Sequence, residues 1–460
     1  MGRTVYAEER LHNYLISLVR PDEYTIGLIV GQSTGQKDYI VHLAKTPPPI
    51  GKNVVEEILL NTIIKSEQNT IENHIKSVKD IPESWVADHA KHVTRMLPGG
   101  MRVLGTFIIG PEDSINDNNI QKFKSVLTTM HKNLLHNKYL CGDNNEEHLI
   151  LNLNSITQKY TCKSVEINKN GMFKSVDWKF QTRATKWHQL EAFINFDRLF
   201  LIAANKDPKT LKKQLQDILK TISDIVETSL IVIEGEVWSP HDTLEVISKN
   251  KKDEKNCKSN EKNNNDQSIQ INLYIPCQEE NINSDVKVTP CSASIRLIGQ
   301  LVSRTFVHQK AIVEEANTAI KQDIIRSLAS RLEMHWDSLI EEENGSPEEN
   351  ITLHEPPRRV LIALPESKIT LSDYLFPGEG AQEALLSLQE LLDLEVHEST
   401  VQKDIELEAD PAEFYFQNKI DVKTVDLGID SSGNQIKIYI TSFSIALSIV
   451  IFAIIIHTFY

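Results

Sequence analysis

The stretch YTIGLIVGQSTGQKDYIVHLA, residues 24 to 44, decides how the chain begins to fold. Two apolar runs, Tyr24 to Val30 and Tyr39 to Ala44, flank Gly31-Gln32-Ser33-Thr34-Gly35-Gln36. Strand-forming runs on either side of a short Gly-containing segment predict a hairpin. The same letters also spell G-x-S-x-G at residues 31–35. A serine nucleophile in that pattern needs a strand before it and a helix after it. A second strand follows Gly35, so Ser33 is read as a turn residue. Thr46-Pro47-Pro48-Pro49 then ends the second strand, because proline cannot donate to a sheet ladder.

Working outward, Arg10 to Val19 forms a short helix with Leu11, Leu15 and Leu18 on one face. Lys52 to Val78 is weakly periodic. Ser84 is placed to cap a helix through Arg95, with Trp85, His89 and His92 on one side, and Leu97-Pro98-Gly99-Gly100 breaks it. Strands are expected at Met101–Ile109, His148–Leu153, Ser164–Ile167, Phe193–Ala203 and Leu230–Val237, and helices at Ile120–Leu135 and Pro208–Thr228. Lys249 to Gln267 has no large aliphatic or aromatic residue and reads as a disordered linker or insertion. Beyond it, Ile269, Ile271, Leu273 and Ile275 alternate as a strand does, as do Ala293, Ile295 and Leu297. A long helix steps by four from Ile312 through Ile320 and Leu328 to Trp336. A strand at Val360–Leu364 and a helix at Ala381–Leu394 follow an acidic loop, Glu341–Asn350. The expected class is α/β (α+β). The expected layout is a domain at 1–240, the linker at 249–267, a second smaller α/β region at 268–394 and an acidic tether at 395–437.

From Ile438 to Tyr460 there is no Asp, Glu, Lys or Arg. The run matches the ~20 residues a helix needs to cross ~30 Å of hydrocarbon, and a helix satisfies its own backbone there. Ile438, Phe443, Ile445, Leu447, Ile449, Val450, Ile451, Phe452, Ile454, Ile455 and Ile456 are the residues expected to span the membrane. Tyr439, Phe459 and Tyr460 sit near its two ends, where aromatic rings favour the interface. The expectation is a single C-terminal transmembrane helix in the bilayer, with residues up to Lys437 in the cytosol.

Composition narrows the chemistry. At 460 residues, with 40% hydrophobic and 25% charged residues, the chain has enough apolar material to fold as two or three domains. A net charge of −15 argues against nucleic acid as a partner. Cys141, Cys162, Cys257, Cys277 and Cys291 are widely spaced and lack any C-x-x-C, which points to reduced thiols. The N-terminus has no apolar run to act as a signal peptide, and Tyr6 stands where an N-myristoylation pattern needs Ser or Thr. Neither G-x-x-x-x-G-K-[ST] nor H-E-x-x-H occurs. His89 and His92 share a helical face, but a zinc site needs three or four ligands, so they are read as structural. No catalytic residue, metal or cofactor is expected, and the chain is not expected to be an enzyme.

Several blocks resemble the odorant-response-abnormal protein 4 (Odr-4-like) family. They are Gly31 to Tyr39, Trp85 to Ala90 running on through Arg95 to Gly105, Asp177 to Gln181, and Arg359-Val360 with Leu364-Pro365, Leu371 and Asp373-Tyr374. The resemblance covers almost the whole chain, with its most specific block around Leu97-Pro98-Gly99-Gly100. It implies an endoplasmic-reticulum membrane protein that supports folding or trafficking of a subset of G-protein-coupled receptors, originally odorant receptors. It also implies a complex with the protease that processes the ubiquitin-fold modifier. The N-terminal half is in addition similar to an MPN domain, the fold of the JAMM isopeptidases. An active JAMM site needs an H-x-H pair, an Asp and a Glu. This chain has no H-x-H, so the resemblance implies a catalytically inactive, zinc-free scaffold.

Three functional expectations follow. The first is a non-catalytic, tail-anchored adaptor for receptor clients and the protease. The second is a divergent membrane-bound metal-dependent hydrolase using His89 and His92. The third is a direct receptor chaperone acting through its transmembrane helix.

Overall fold

A computed structural model describes residues 2–20, 23–48, 75–116, 118–142, 147–167, 171–204, 207, 209–248, 268–275, 290–341 and 355–406. The expected hairpin forms from strands β2 (Thr25–Ser33) and β3 (Lys37–Lys45), with Ser33 opposite Asp38. Between them, Thr34 takes the Lys37 carbonyl and Gly35 sits at φ +81°, in the left-handed region that favours glycine. With β1 (Thr4–Glu8), β4 (Arg102–Gly110), β5 (Glu147–Asn154), β6 (Tyr160–Glu166) and β7 (Lys174–Gln181), the hairpin closes a barrel in the order β1-β3-β2-β4-β5-β6-β7. Val5, Ile29, Leu43, Phe107, Leu149 and Trp178 pack together with Leu11 and Leu15 of helix α1 (Glu9–Ser17). The alternate residues, such as Leu28, Val30 and Val103, pack against α2 (Glu83–Met96) and α3 (Ile120–His136). Strands covered on both faces read as continuous apolar runs, as β2 does.

A one-turn helix, α4 (Lys138–Cys141), follows α3. A second sheet has the order β11-β8-β10-β9, from β8 (Trp187–Ala203), β9 (Leu230–Ile233), β10 (Ile269–Tyr274) and β11 (Cys291–His308). One face of it packs on α5 (Leu211–Thr228) and α6 (Val313–Glu341). The third sheet, β13-β12-β14, joins β12 (Arg358–Ala363), β13 (Thr370–Leu375) and β14 (Val401–Gln402) and carries α7 (Ala381–Leu392).

Mixed α/β architecture is therefore what the chain adopts. Met1–Leu407 form one compact unit. The boundary drawn from sequence between 1–240 and 268–394 runs through shared cores: Val360, Ile362 and Leu371 pack in the same cluster as Val86, Val93 and Phe123. The stretch 395–406, assigned from sequence to the tether, belongs to this unit, since β14 pairs with β12 and Glu406 is buried. Its acidity misled because the Glu406 carboxylate is paired inside the fold. The helix expected from Pro208 starts at Leu211, where the Thr210 hydroxyl accepts from the Lys213 N–H. The strand expected to reach Val237 ends at Ile233.

The second unit, Glu408–Tyr460, lies outside the described residues, and with it every residue expected to span the membrane, from Ile438 to Ile456. The expected linker, 249–267, also lies outside them. Among the described residues no helix is long and apolar enough to cross a membrane.

Candidate functional site

The turn Leu97–Gly100, between α2 and β4, is where distant segments meet. The Gly99 N–H donates to Asp323 Oδ1 at 2.8 Å, and its carbonyl accepts from the Phe306 N–H at 3.0 Å. A side chain at Gly99 would collide with Thr305 Oγ1 and the Ala319 carbonyl, and Gly100 adopts φ +83°. Gln32, at the end of β2, donates from Nε2 to the carbonyls of Gly100 (3.0 Å) and Phe306 (3.2 Å), and its Oε1 accepts from the His308 N–H at 2.7 Å. From α6, Arg326 donates to the carbonyls of Leu97, Pro98, Met101 and Leu140, and so clamps the turn.

Behind the turn lies a buried ionic network. Asp323 pairs with Arg359 through two hydrogen bonds of 2.8 and 2.9 Å, and also accepts from Ser303 Oγ and the Arg304 N–H. The remaining Arg359 donors reach the Val302 carbonyl and Ser372 Oγ. Glu406 pairs with Arg331 and accepts from the N–H groups of Val302 and Arg359. Burial, the largest single influence, lowers the Arg359 pKa, but the charge and hydrogen bonds of Asp323, with Tyr374 and Glu406, together outweigh it and the net shift is upward. Arg326 is shifted down by burial, only partly offset by Asp323.

These partners share one geometric task. The N–H groups of Val302, Arg304, Phe306 and His308 point away from β8 along the outer edge of β11. Glu406, Asp323, the Gly99 carbonyl and Gln32 take them in turn. An exposed strand edge invites unwanted pairing, and here three side chains and one backbone carbonyl, from four separate segments, close it. Asp323 accepts five hydrogen bonds in all, from Gly99, Ser303, Arg304 and Arg359.

The sequence candidates for chemistry are also engaged in packing. Ser33 lies at the end of β2 in the hairpin. His89 and His92 are not brought to a common ligand. His89 Nε2 lies 2.7 Å from the Leu391 carbonyl and its Nδ1 3.0 Å from Thr46 Oγ1. His92 faces Arg95 at 3.4 Å. His42 Nε2 likewise meets the Leu392 carbonyl at 2.8 Å, so two buried imidazoles satisfy carbonyls in the last turn of α7, which lack helical partners. Burial holds both His42 and His89 down at about 4. Cys141 is pushed up to about 11 by burial, which keeps it a thiol. Among the described residues no group of three His, Cys, Asp or Glu side chains is placed to hold a metal. A buried imidazole pair, His131 and His148, meets at 2.9 Å between α3 and β5. No sequence signal marked it, because the two residues lie on different elements.

The family model described as odorant response abnormal 4-like matches residues 27–403. The protein odr-4 homolog of Gallus gallus is 30% identical over 404 residues, covering 85% of this chain and 84% of its own. The odorant response abnormal protein 4 of Caenorhabditis elegans is 22% identical over 335 residues, covering 70% of this chain and 66% of its own. Among solved structures, UfSP from C. elegans superposes with a TM-score of 0.42 at 9% identity, covering 86% of this chain and 57% of that one. That likeness is too distant to assign a fold.

Proposed function

The chain belongs to the odorant response abnormal 4-like family, and from that premise we propose that it is a non-catalytic adaptor of the endoplasmic-reticulum membrane. In this reading it supports folding and trafficking of a subset of G-protein-coupled receptors. It also anchors the protease that processes the ubiquitin-fold modifier, with its bulk in the cytosol and residues 438–460 in the bilayer. The N-terminal barrel serves as an MPN-like scaffold without zinc.

One observation carries the adaptor reading. Gln32, Gly99, Gly100 and Arg359, all within the blocks that resemble the family, converge on a buried junction densely cross-linked by hydrogen bonds. Such a junction fixes the shape of a surface and leaves little for turnover. The uncharged run from Ile438 to Tyr460 supports the anchor.

The test is affinity purification of the full chain from detergent-solubilised membranes. Co-elution of the modifier-processing protease is expected, together with a fall in surface delivery of client receptors when the chain is depleted. Purified chain that carries stoichiometric zinc and hydrolyses a modifier conjugate would overturn the reading.

A further inference from the structure

On the outer face of the barrel, one row of side chains crosses from β7 to β11. Tyr6 stands between Val5 and Ala7, and Tyr39 between Asp38 and Ile40. All four neighbours are buried, so both tyrosines turn outward. Register places Lys179 beside Tyr6, and Tyr6 beside Tyr39. Gln32, paired with Tyr39, accepts from the His308 N–H and so brings the end of β11 into the row. Tyr39 stacks on both Tyr6 and His308, with ring centroids 5.7 and 4.0 Å apart. Trp187 stands at nearly a right angle to Tyr39 and to His308. These four rings are half-buried.

The charges around the rings have one sign. Lys37, Lys179, Lys186 and Lys310 are exposed. The Lys37 ammonium lies 5.9 Å from the Tyr6 ring centroid. The Lys186 carbonyl accepts from the Gln309 N–H, which sets Lys186 next to Lys310. Lys179 is paired with Asp177 at 2.7 Å, whereas among the described residues Lys37, Lys186 and Lys310 have no carboxylate partner. His308 records the excess: burial holds its pKa down at about 4, and Lys310, Lys37 and His188 all push the same way. A chain of net charge −15 therefore carries a cationic, aromatic patch.

This combination selects an anionic occupant, and its strength selects which one. A lysine near an anionic surface adds about fivefold in affinity, so three unpaired lysines give on the order of a hundredfold. A free acidic peptide held that way would bind only at roughly 10 mM. Nor is a peptide offered a strand edge, since β1 is paired with β3 and β7, and β3 with β1 and β2. A chain already held at a bilayer needs no more than this to settle one face against it. Tyrosine and tryptophan, with apolar bodies and polar tips, favour the head-group level. We propose that this row is a membrane-contact surface, with Lys37, Lys186 and Lys310 on the phosphates and carboxylates of anionic lipids and Tyr6, Tyr39 and Trp187 among the head groups. The proposal rests on the membrane anchoring of residues 438–460.

The experiment is lysine acylation footprinting by mass spectrometry on the full chain, mixed with preformed vesicles of phosphatidylcholine alone or with about one-third phosphatidylserine. Lys213 of α5, exposed and outside this row, is the reference. Lys37, Lys186 and Lys310 are expected to label at least about fivefold more slowly with phosphatidylserine present, and raising the salt to ~0.5 M should remove the difference. Lys37→Gln with Lys310→Gln should cut the protection of Lys186 at least about fivefold, with melting curves to confirm folding. Equal labelling with both vesicles overturns the proposal, as does protection by a glutamate-rich peptide without any by phosphatidylserine. Flotation of the same samples separates the two readings. A chain that floats with both vesicles yet labels equally keeps its anchor and loses this contact. A chain that does not float with phosphatidylcholine alone loses the anchor, while phosphatidylserine-dependent protection still decides the face.

Discussion

At the scale of single residues, the ion pair of Asp323 with Arg359 couples the turn, α6 and β12. Asp323→Ala would leave the Arg359 guanidinium buried without its counter-charge, a loss of about 3–5 kcal/mol. Denaturant unfolding monitored by circular dichroism measures it. Titration adds two effects of opposite sign. His42 and His89 have folded pKa values held at about 4 by burial, below the ordinary imidazole value. Their contribution is complete above pH ~6.5 and is lost as pH falls toward 4, by up to about 3 kcal/mol each. Thermal melts between those limits should show the decline, and His42→Gln should flatten it. Asp373 behaves in reverse: burial raises it to about 6. Its contribution is complete below the unfolded carboxylate pKa and is lost as pH rises through about 6. Asp373→Asn should therefore raise the melting midpoint near neutrality, with the gain fading by about pH 4.

At the scale of elements, the Leu97–Gly100 turn is squeezed between β11 and α6. Gly99→Ala would force that packing apart at a cost of at least 1–3 kcal/mol, readable as a lower unfolding midpoint. The β2–β3 hairpin was legible because its turn chemistry and its apolar runs lie within a few residues of each other. Helix α6 was legible from Ile312, Ile320, Leu328 and Trp336, but its polar residues were not. Asp323, Arg326 and Arg331 would be placed in solvent on a surface helix, yet they are 1%, 3% and 8% exposed. Their partners sit on β12, on the turn and at Glu406, far away in sequence. The same distance hid the candidate site. Gln32, Gly99, Gly100 and Arg359 stood inside recognisable blocks, while their convergence is a fact of tertiary structure. The full lengths of β8 and β11 were missed because only part of each strand alternates cleanly between apolar and polar residues.

At the scale of the whole molecule, the proposed anchoring predicts a simple separation. A chain ending at Lys437 should remain in the supernatant when membranes are sedimented, whereas the full chain should pellet and be released by detergent but not by salt. One feature of the fold bears on what such an anchor would do mechanically. Glu406 lies one residue before the compact unit ends, and its carboxylate holds the backbone of β11, the backbone of β12 and a side chain of α6 together. Tension arriving along the chain from the tail would be distributed over three elements at once, instead of peeling away the two-residue strand β14. Glu406 acts as a cleat, and pulling on the C-terminus of a Glu406→Ala chain in an optical trap should free residues 395–406 at a lower force than in the native protein.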